Sequence, residues 1–383
     1  MHFSLSADQQ LLKDSVASFV KRQSPITRAR ELRRDPLGYS RDTWATLGEL
    51  GWLGLPFSEA QGGLGGSFVD LSIVLEELGA ALVPEPLISS IVLAGHVVAE
   101  LGTEAQRAEH LAPVVAGART LALAHTERDG RYDPLWVSTT AARRGDSYAL
   151  DGEKIFVLGG HDADDLVVVA RTSGAPGELE GLTAFLAPRG APGVPVSPLG
   201  PIDGRRAAHV TLRGASLPAS ARLGDEGAAG PVLSQALDRA AAAACAEGVG
   251  LTRAVLEMTT AYLCTREQFG VKIGSFQALQ HRAVDMFIET ELVKSASIRA
   301  AIALDAGDPV EAAWAVSLAK AQLGVGGKYV VQQAIQLHGG VGITDEHDVG
   351  LYFKRMHALM SSFGDEAHHV ARVASSPRFT AGL

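Results

Sequence analysis

Hydrophobic positions change their period twice along this chain, and the changes divide it into three parts. Up to about residue 119 apolar side chains recur at three- and four-residue spacing, which predicts helices; one opens over Gln9–Val16 and another covers Val69–Leu82. Glycine and proline clusters at Gly62-Gly63-Leu64-Gly65-Gly66 and Val83-Pro84-Glu85-Pro86 punctuate this part. From about Thr120 to Gly224 short apolar runs alternate with turn residues: Leu121–His125, Glu153–Val157, Leu166–Ala170, Leu182–Leu186 and His209–Leu212. Runs of that length predict strands of a small antiparallel domain. After Pro231 the helical period returns over Val232–Arg266, Gln277–Ala306, Pro309–Leu337 and a last stretch near Asp365–Val373. The expected plan is α+β, with a helical domain over 1–119, a middle β domain over 120–228 and a helical domain over 229–383.

Composition permits a large core and removes several function classes. The chain has 383 residues, 46% hydrophobic and 20% charged, enough for two or three domains. Its longest apolar runs, such as Leu87–Leu101, are interrupted by Ser, His and Glu, so no membrane span is expected. The opening Met1-His2-Phe3-Ser4-Leu5-Ser6-Ala7-Asp8 has neither a basic nor an apolar leader segment, which points to the cytoplasm. Two cysteines, Cys245 and Cys264, sit in no metal-binding spacing and read as reduced packing residues. A net charge of -9 argues against nucleic-acid or anionic-membrane partners, so an anionic cofactor would need locally placed cations.

Two segments carry candidate chemistry: Thr265-Arg266-Glu267-Gln268-Phe269-Gly270, and Ile335-Gln336-Leu337-His338-Gly339-Gly340-Val341-Gly342. A Gly-Gly-x-Gly turn lets backbone amides approach a phosphate or flavin with no Cβ in the way. Taken locally, Arg266 suits the negative end of a helix dipole and the glycines suit a helix C-cap. Together, at this spacing, the two segments resemble the C-terminal half of the acyl-CoA dehydrogenase family. The helix, sheet, helix order is similar to that family over the whole length, which implies an N-terminal helical domain, a middle antiparallel β domain and a C-terminal four-helix bundle. Within the family, FGVKIGSFQALQHRAVDMF and AIQLHGGVGITDEHDVGLYFKR are most similar to pimeloyl-CoA dehydrogenase small subunit-like members, which often work as heteromers. The resemblance implies FAD, contacted by Arg266 through its pyrophosphate and by Phe269, Gln336, Gly339 and Gly340, with the diglycine loop reaching the flavin of a neighbouring subunit. Guanidinium suits phosphate because it gives paired, charge-assisted bonds.

The middle domain departs from the family pattern. Where the family carries Thr-Glu-Pro-Gly-x-Gly-Ser-Asp over the flavin, this chain reads Thr126-Glu127-Arg128-Asp129-Gly130-Arg131-Tyr132-Asp133, without the serine. Where it carries Trp-x-Thr, this chain has Phe156-Val157-Leu158, keeping the aromatic and losing the hydroxyl. Thr126 and Phe156 remain the flavin candidates here. The implied chemistry, α-proton removal from an acyl thioester with β-hydride transfer to the flavin, needs a carboxylate base in a dry site. Two positions where the family places it fall on Gly364 and Ala240, both inert. Glu247 is the leading candidate: its neighbours three and four residues away, Ala243, Ala244, Gly250 and Leu251, leave it alone among small apolar side chains with room for a ligand. The subfamily carries a Glu in the corresponding segment. The plain alternative is a helix Glu turned to solvent near Arg239 and Arg253. Asp365, beside the vacant position, is the second candidate and also a natural helix cap; Asp238 ranks below it as another cap.

Several features read as structural. His338 suits the last carbonyls of a helix, Asp345-Glu346-His347-Asp348 suits a solvated turn rather than a metal site, and His368-His369 supports no metal reading. The expectation is an FAD-dependent acyl-CoA dehydrogenase forming a trans-2-enoyl-CoA from a medium-length or dicarboxylic acyl group. Electrons would pass to an electron-transfer flavoprotein, and the enzyme would be a homo- or hetero-oligomer. A carrier-protein thioester would serve the same chemistry. Two alternatives share the fold: a non-catalytic subunit of a heteromer, motivated by Gly364 and the missing hydroxyls, and an oxygen-using oxidase or monooxygenase.

Overall fold

The computed structural model describes residues 4–380. Met1–Phe3, part of the segment taken to lack a leader, and residues 381–383 lie outside the described residues. The architecture is an N-terminal helical domain, a middle β domain and a C-terminal helical domain. Contacts gather the chain into two units, one formed by Met1–Arg33, Phe68–Val83 and Ala241–Leu383, the other by Arg34–Ser67 and Pro84–Ala240.

In the first unit the helix Ala7–Gln23 opens on a capping box between Ser6 and Gln9. At the start of the helix Phe68–Ala80, Asp305 takes hydrogen bonds from the Phe68 and Val69 amides at 2.6 and 3.0 Å, placing an anion at the positive helix end. Gln277–Ala306 has the predicted bounds; it ends on Gly307 at φ 78, and Asp308 then caps Pro309–Gln322. The stretch predicted as one helix over Pro309–Leu337 is continuous but passes through a π-turn at Leu323–Gly327 before Lys328–His338. Glycines 324, 326 and 327 permit it: a Cβ at Gly327 would lie 2.7 Å from the Met356 sulfur. Helices Val349–Ser361 and Glu366–Ala374 follow.

The second unit is built on an eight-stranded sheet. Its strands are β1 (Leu121–Ala124), β2 (Thr140–Arg144), β3 (Ser147–Leu158), β4 (Asp165–Arg171), β5 (Leu182–Pro188), β6 (Val196–Leu199), β7 (Ala207–Pro218) and β8 (Arg222–Leu223). The order is β6-β7-β3-β2-β4-β5-β8, with β1 on β4. The pairings are antiparallel except that β1 runs parallel to β4 over its length and β2 meets β4 in parallel at Thr140 and Arg171. Every apolar run predicted as a strand lies on one. The β2 strand was not predicted because only Ala141 of its five residues is buried, so it has no apolar run. Tyr148, Leu150, Val168, Phe185, Val210 and Leu217 are among the buried residues of the core. Two further two-residue strands, β9 (Glu267–Gln268) and β10 (Val271–Lys272), form a hairpin in the first unit.

Candidate functional site

Glu247 sits in the helix Gly230–Thr265, where Ala240–Ala246, Gly248 and Gly250 supply almost no side-chain bulk. Glycine is required there by close approach. A Cβ at Gly250 would stand 1.9 Å from the Glu76 carbonyl oxygen, and one at Gly79 would stand 2.4 Å from that of Glu247. The two helices therefore touch backbone to backbone, and Glu247 is left only 4% exposed. The isolation expected of it is overturned: Arg355 Nε donates to Oε1 at 2.7 Å and Arg355 Nη2 to Oε2 at 2.7 Å. Neighbours three and four residues away describe one helix face. Arg355 comes from the helix Val349–Ser361, 108 residues further on, so helical spacing could not reveal it. The only sequence signal was Arg355 itself, nine residues before the empty position Gly364.

Gly364 has φ +108, and a Cβ there would meet His369 Nε2 at 2.4 Å and His368 Cδ2 at 2.7 Å. A side chain at this position, glutamate included, is therefore strained by the backbone and crowded by the two histidine rings. Asp365 serves as the N-cap of Glu366–Ala374, accepting from the His368 amide at 2.9 Å. His369 is buried and pushed down to about 3 by desolvation and then by Lys320, so it is neutral. Its ring pairs with the Phe363 carbonyl at 2.9 Å.

The two flavin motifs of the first unit meet through aromatic stacking. Tyr262, one turn before Arg266, stacks on His338 with centroids 4.6 Å apart and planes 29° from parallel. His338 is buried, with Nδ1 on the Ala334 carbonyl at 2.8 Å, and burial first of all lowers its pKa. The helix-end role expected of it is what is observed. Arg266 is exposed and its guanidinium has no hydrogen-bond or ion-pair partner among the described residues. Phe269, at the turn of the β9–β10 hairpin, has φ 55 and is 91% exposed. Gln336 is exposed, Gly339 has φ 61, and a Cβ at Gly339 or Gly340 would find nothing within 4 Å. An unpartnered guanidinium and an open glycine cradle fit an anionic flavin dinucleotide.

In the second unit Thr126 and Phe156 lie on adjacent chain segments, joined by the Ile155 amide donating to the Thr126 carbonyl at 2.9 Å. The register of β3 on β7 slips between Lys154 and Val157, leaving one extra residue on β3. Phe156 occupies that bulge at φ 53 and is 50% exposed. A bulky residue at positive φ is strained by roughly 1–3 kcal/mol, and a bulge that re-aims an aromatic ring outward is a feature of binding sites. Two residues earlier on the same strand, Lys154 belongs to a buried ion pair that sequence reading missed. Lys154 Nζ donates to Glu127 Oε1 at 2.7 Å, and Glu127 also accepts from the Ser138 and Thr139 amides at 2.7 and 3.0 Å. Burial alone would raise the Glu127 pKa, but Lys154 and these bonds outweigh it and hold it at about 2.

Other expectations resolve simply. The Asp345–Asp348 turn is tied down by ion pairs, Asp348 to Arg30 at 2.7 Å and Asp345 to Arg33 and Lys354 at 3.2 and 3.1 Å. No group of three or more potential metal ligands occurs among the described residues. Cys245 is buried as expected, but Cys264 is exposed, since its position in the last turn faces away from the core. No described helix is long and apolar enough to cross a membrane.

Comparison with known proteins covers nearly all of this geometry. Family models match in chain order: "Acyl-CoA dehydrogenase, N-terminal domain" over residues 6–118, "middle domain" over 122–214 and "C-terminal domain" over 230–376. The chain is 32% identical over 355 residues to Acyl-CoA dehydrogenase FadE12 of Mycobacterium tuberculosis, covering 91% of this chain and 90% of the relative. Among solved structures it is similar to a chain of the ChsE4-ChsE5 complex from Mycobacterium tuberculosis, with 28% identity, 100% coverage of both chains and a TM-score of 0.89. It is also similar to butyryl-CoA dehydrogenase from Megasphaera elsdenii, with 26% identity, 98% of this chain and 99% of the other covered, and a TM-score of 0.87.

Proposed function

This chain belongs to the acyl-CoA dehydrogenase family, whose members are FAD flavoproteins, and on that premise we propose that Glu247 is the base that removes the α-proton of an acyl-CoA. The observation that carries the reading is a buried carboxylate, held as an ion pair beside alanines and glycines, in a chain whose alternative position is a glycine at positive φ crowded by two histidine rings. An ion pair presents the carboxylate as an anion, the form a base must have. In the step, the Cα–H bond breaks and an O–H bond forms on Glu247, and the electron pair left on the α-carbon becomes the Cα=Cβ bond of the trans-2-enoyl thioester as the Cβ–H bond breaks and its hydride leaves. Bound FAD supplies the acceptor for the β-hydride. Within the first unit, Arg266, Gln336 and the amides of Gly339 and Gly340, with Phe269 beside them, are the groups that would hold the dinucleotide of a neighbouring subunit's flavin; within the second unit, Thr126 and Phe156 are the ones that would border a flavin.

The pimeloyl-type resemblance supports a medium-length or dicarboxylic acyl group, an electron-transfer flavoprotein as acceptor and a cytoplasmic site of action. Exposed apolar side chains on the helix Gln277–Ala306, namely Val284, Phe287, Ile288 and Leu292, together with Phe269, support an oligomer. A second reading, that the chain is one half of a heteromer, draws on the missing flavin-side serine and on its full-length similarity to a chain of a two-protein complex. The test is the visible spectrum of the purified chain, with anaerobic addition of saturated acyl-CoAs including pimeloyl-CoA. Bound flavin that bleaches, and an E247Q variant that keeps flavin but loses turnover by about 10²–10⁴-fold, are the expected results. A colourless chain would favour the heteromer, and unchanged turnover in E247Q would remove Glu247 from the mechanism.

A further inference from the structure

Arg355 stands on a helix that is pinned on both sides of it. One turn earlier, Tyr352 donates its hydroxyl proton to the Ala80 carbonyl at 2.6 Å, at the end of the helix that packs on Glu247. One turn later, buried Lys320 donates to the Leu359 carbonyl at 2.7 Å and to Met360 at 3.4 Å. Between them Met356 is fully buried, with room for its sulfur made by Gly327. Lys354 reaches outward to Asp345 at 3.1 Å, while Arg355 turns inward, its side chain 12% exposed against 5% for Glu247. The guanidinium is thus delivered to Glu247 by a helix with little freedom to shift.

We propose that Arg355 is the positioning residue of the dehydrogenation, fixing the Glu247 carboxylate in one orientation and releasing one of its two hydrogen bonds as that carboxylate takes the α-proton. The inference rests on the reading of Glu247 as base. Its physical ground is donor and acceptor supply. An ionised carboxylate offers both oxygens to the fork of a guanidinium, whereas a protonated carboxyl has turned one oxygen into a hydroxyl, a donor and a poorer acceptor. The proton moves from the α-carbon to the oxygen that gives up its N–H bond. The other oxygen keeps its bond to Arg355, so the carboxyl does not swing away during the step.

The experiment compares E247Q, R355K and R355Q as flavin-loaded proteins, measuring kcat, KM, flavin content and exchange of the substrate α-proton with deuterated solvent. R355K keeps the cation without the fork, and R355Q keeps a donor without the charge, so at least one variant leaves the buried carboxylate with a partner. R355K is expected to lower kcat and α-exchange together by about 100-fold, the scale of a misplacement near 1 Å, with KM and flavin content nearly unchanged. If E247Q abolishes exchange while both Arg355 variants retain kcat and differ only in melting temperature, Arg355 is merely structural and the positioning role is overturned. If E247Q itself retains exchange and turnover, the base reading fails, and the role of Arg355 fails with it.

Discussion

Two of the buried carboxylates, Glu127 on Lys154 in the β domain and Glu247 on Arg355 in the helical unit, are held by their cations in different ways. Glu127 is gripped by backbone: the Ser138 and Thr139 amides and Lys154 all converge on it, and no rotamer change can withdraw an amide. The two bonds that Arg355 gives Glu247 come from one side chain, which can yield a bond without moving a strand. Lys154 also donates to the His125 carbonyl at 3.3 Å, so that pair staples the Thr126 segment to the strand bearing Phe156. A carboxylate locked by amides is suited to framework. One held through a mobile side chain can change its contacts without moving the backbone.

That contrast gives graded expectations. The largest effect separates the carboxylates by activity: E247Q lowers turnover per folded, flavin-loaded molecule by about 10²–10⁴-fold, while E127Q lowers stability and leaves turnover per folded molecule within a few fold. Equal losses of turnover in steady-state assays would break the distinction. Next, K154M strands a buried carboxylate and costs about 3–5 kcal/mol in denaturant unfolding, most of it regained in the E127Q/K154M double variant. A third expectation concerns pH. Glu127 sits at about 2 in the fold against an ordinary 4.5, so between those values the unfolded chain binds the extra proton. Stability from this group is present above about pH 4.5 and drains away as pH falls towards 2; urea midpoints across that window should show the slope, and E127Q should lose it. Lys154 acts at the other end. Burial pushes it down to about 8 from 10.5 despite the pull of Glu127, so the unfolded chain binds more protons over that range and the lysine contribution to stability rises with pH there. The smallest effect is S138A, which removes one hydroxyl from Glu127 while leaving the Ser138 amide in place, and should cost about 1 kcal/mol by the same unfolding assay.

The middle domain and the long helices were legible in the sequence for different reasons. The β4 strand is buried along its whole length, so Leu166–Ala170 announces itself as an unbroken apolar run. Gln277–Ala306 is bounded by its own chemistry, a glycine at positive φ and then an Asp-Pro start to the next helix. Phe156 was legible as an aromatic in place of the family tryptophan. Its bulge was not, because a register slip belongs to the pairing of β3 with β7 and leaves no mark on β3 alone.

Local sequence determined what depends on near neighbours: the periods that lay down helix, sheet and helix, the caps, and the glycine-rich and Arg-x-x-Phe-Gly segments that identify the family. The tertiary structure alone decided which charges face each other. Glu247 looked solitary because its helical neighbours Ala243, Ala244, Gly250 and Leu251 carry no charge, yet the smallest of them, Gly250, lets the backbone of another helix close in. The partner that packing then supplies lies 108 residues away. Which cation meets a buried carboxylate is set by helix packing, and helix packing is a property of the whole fold.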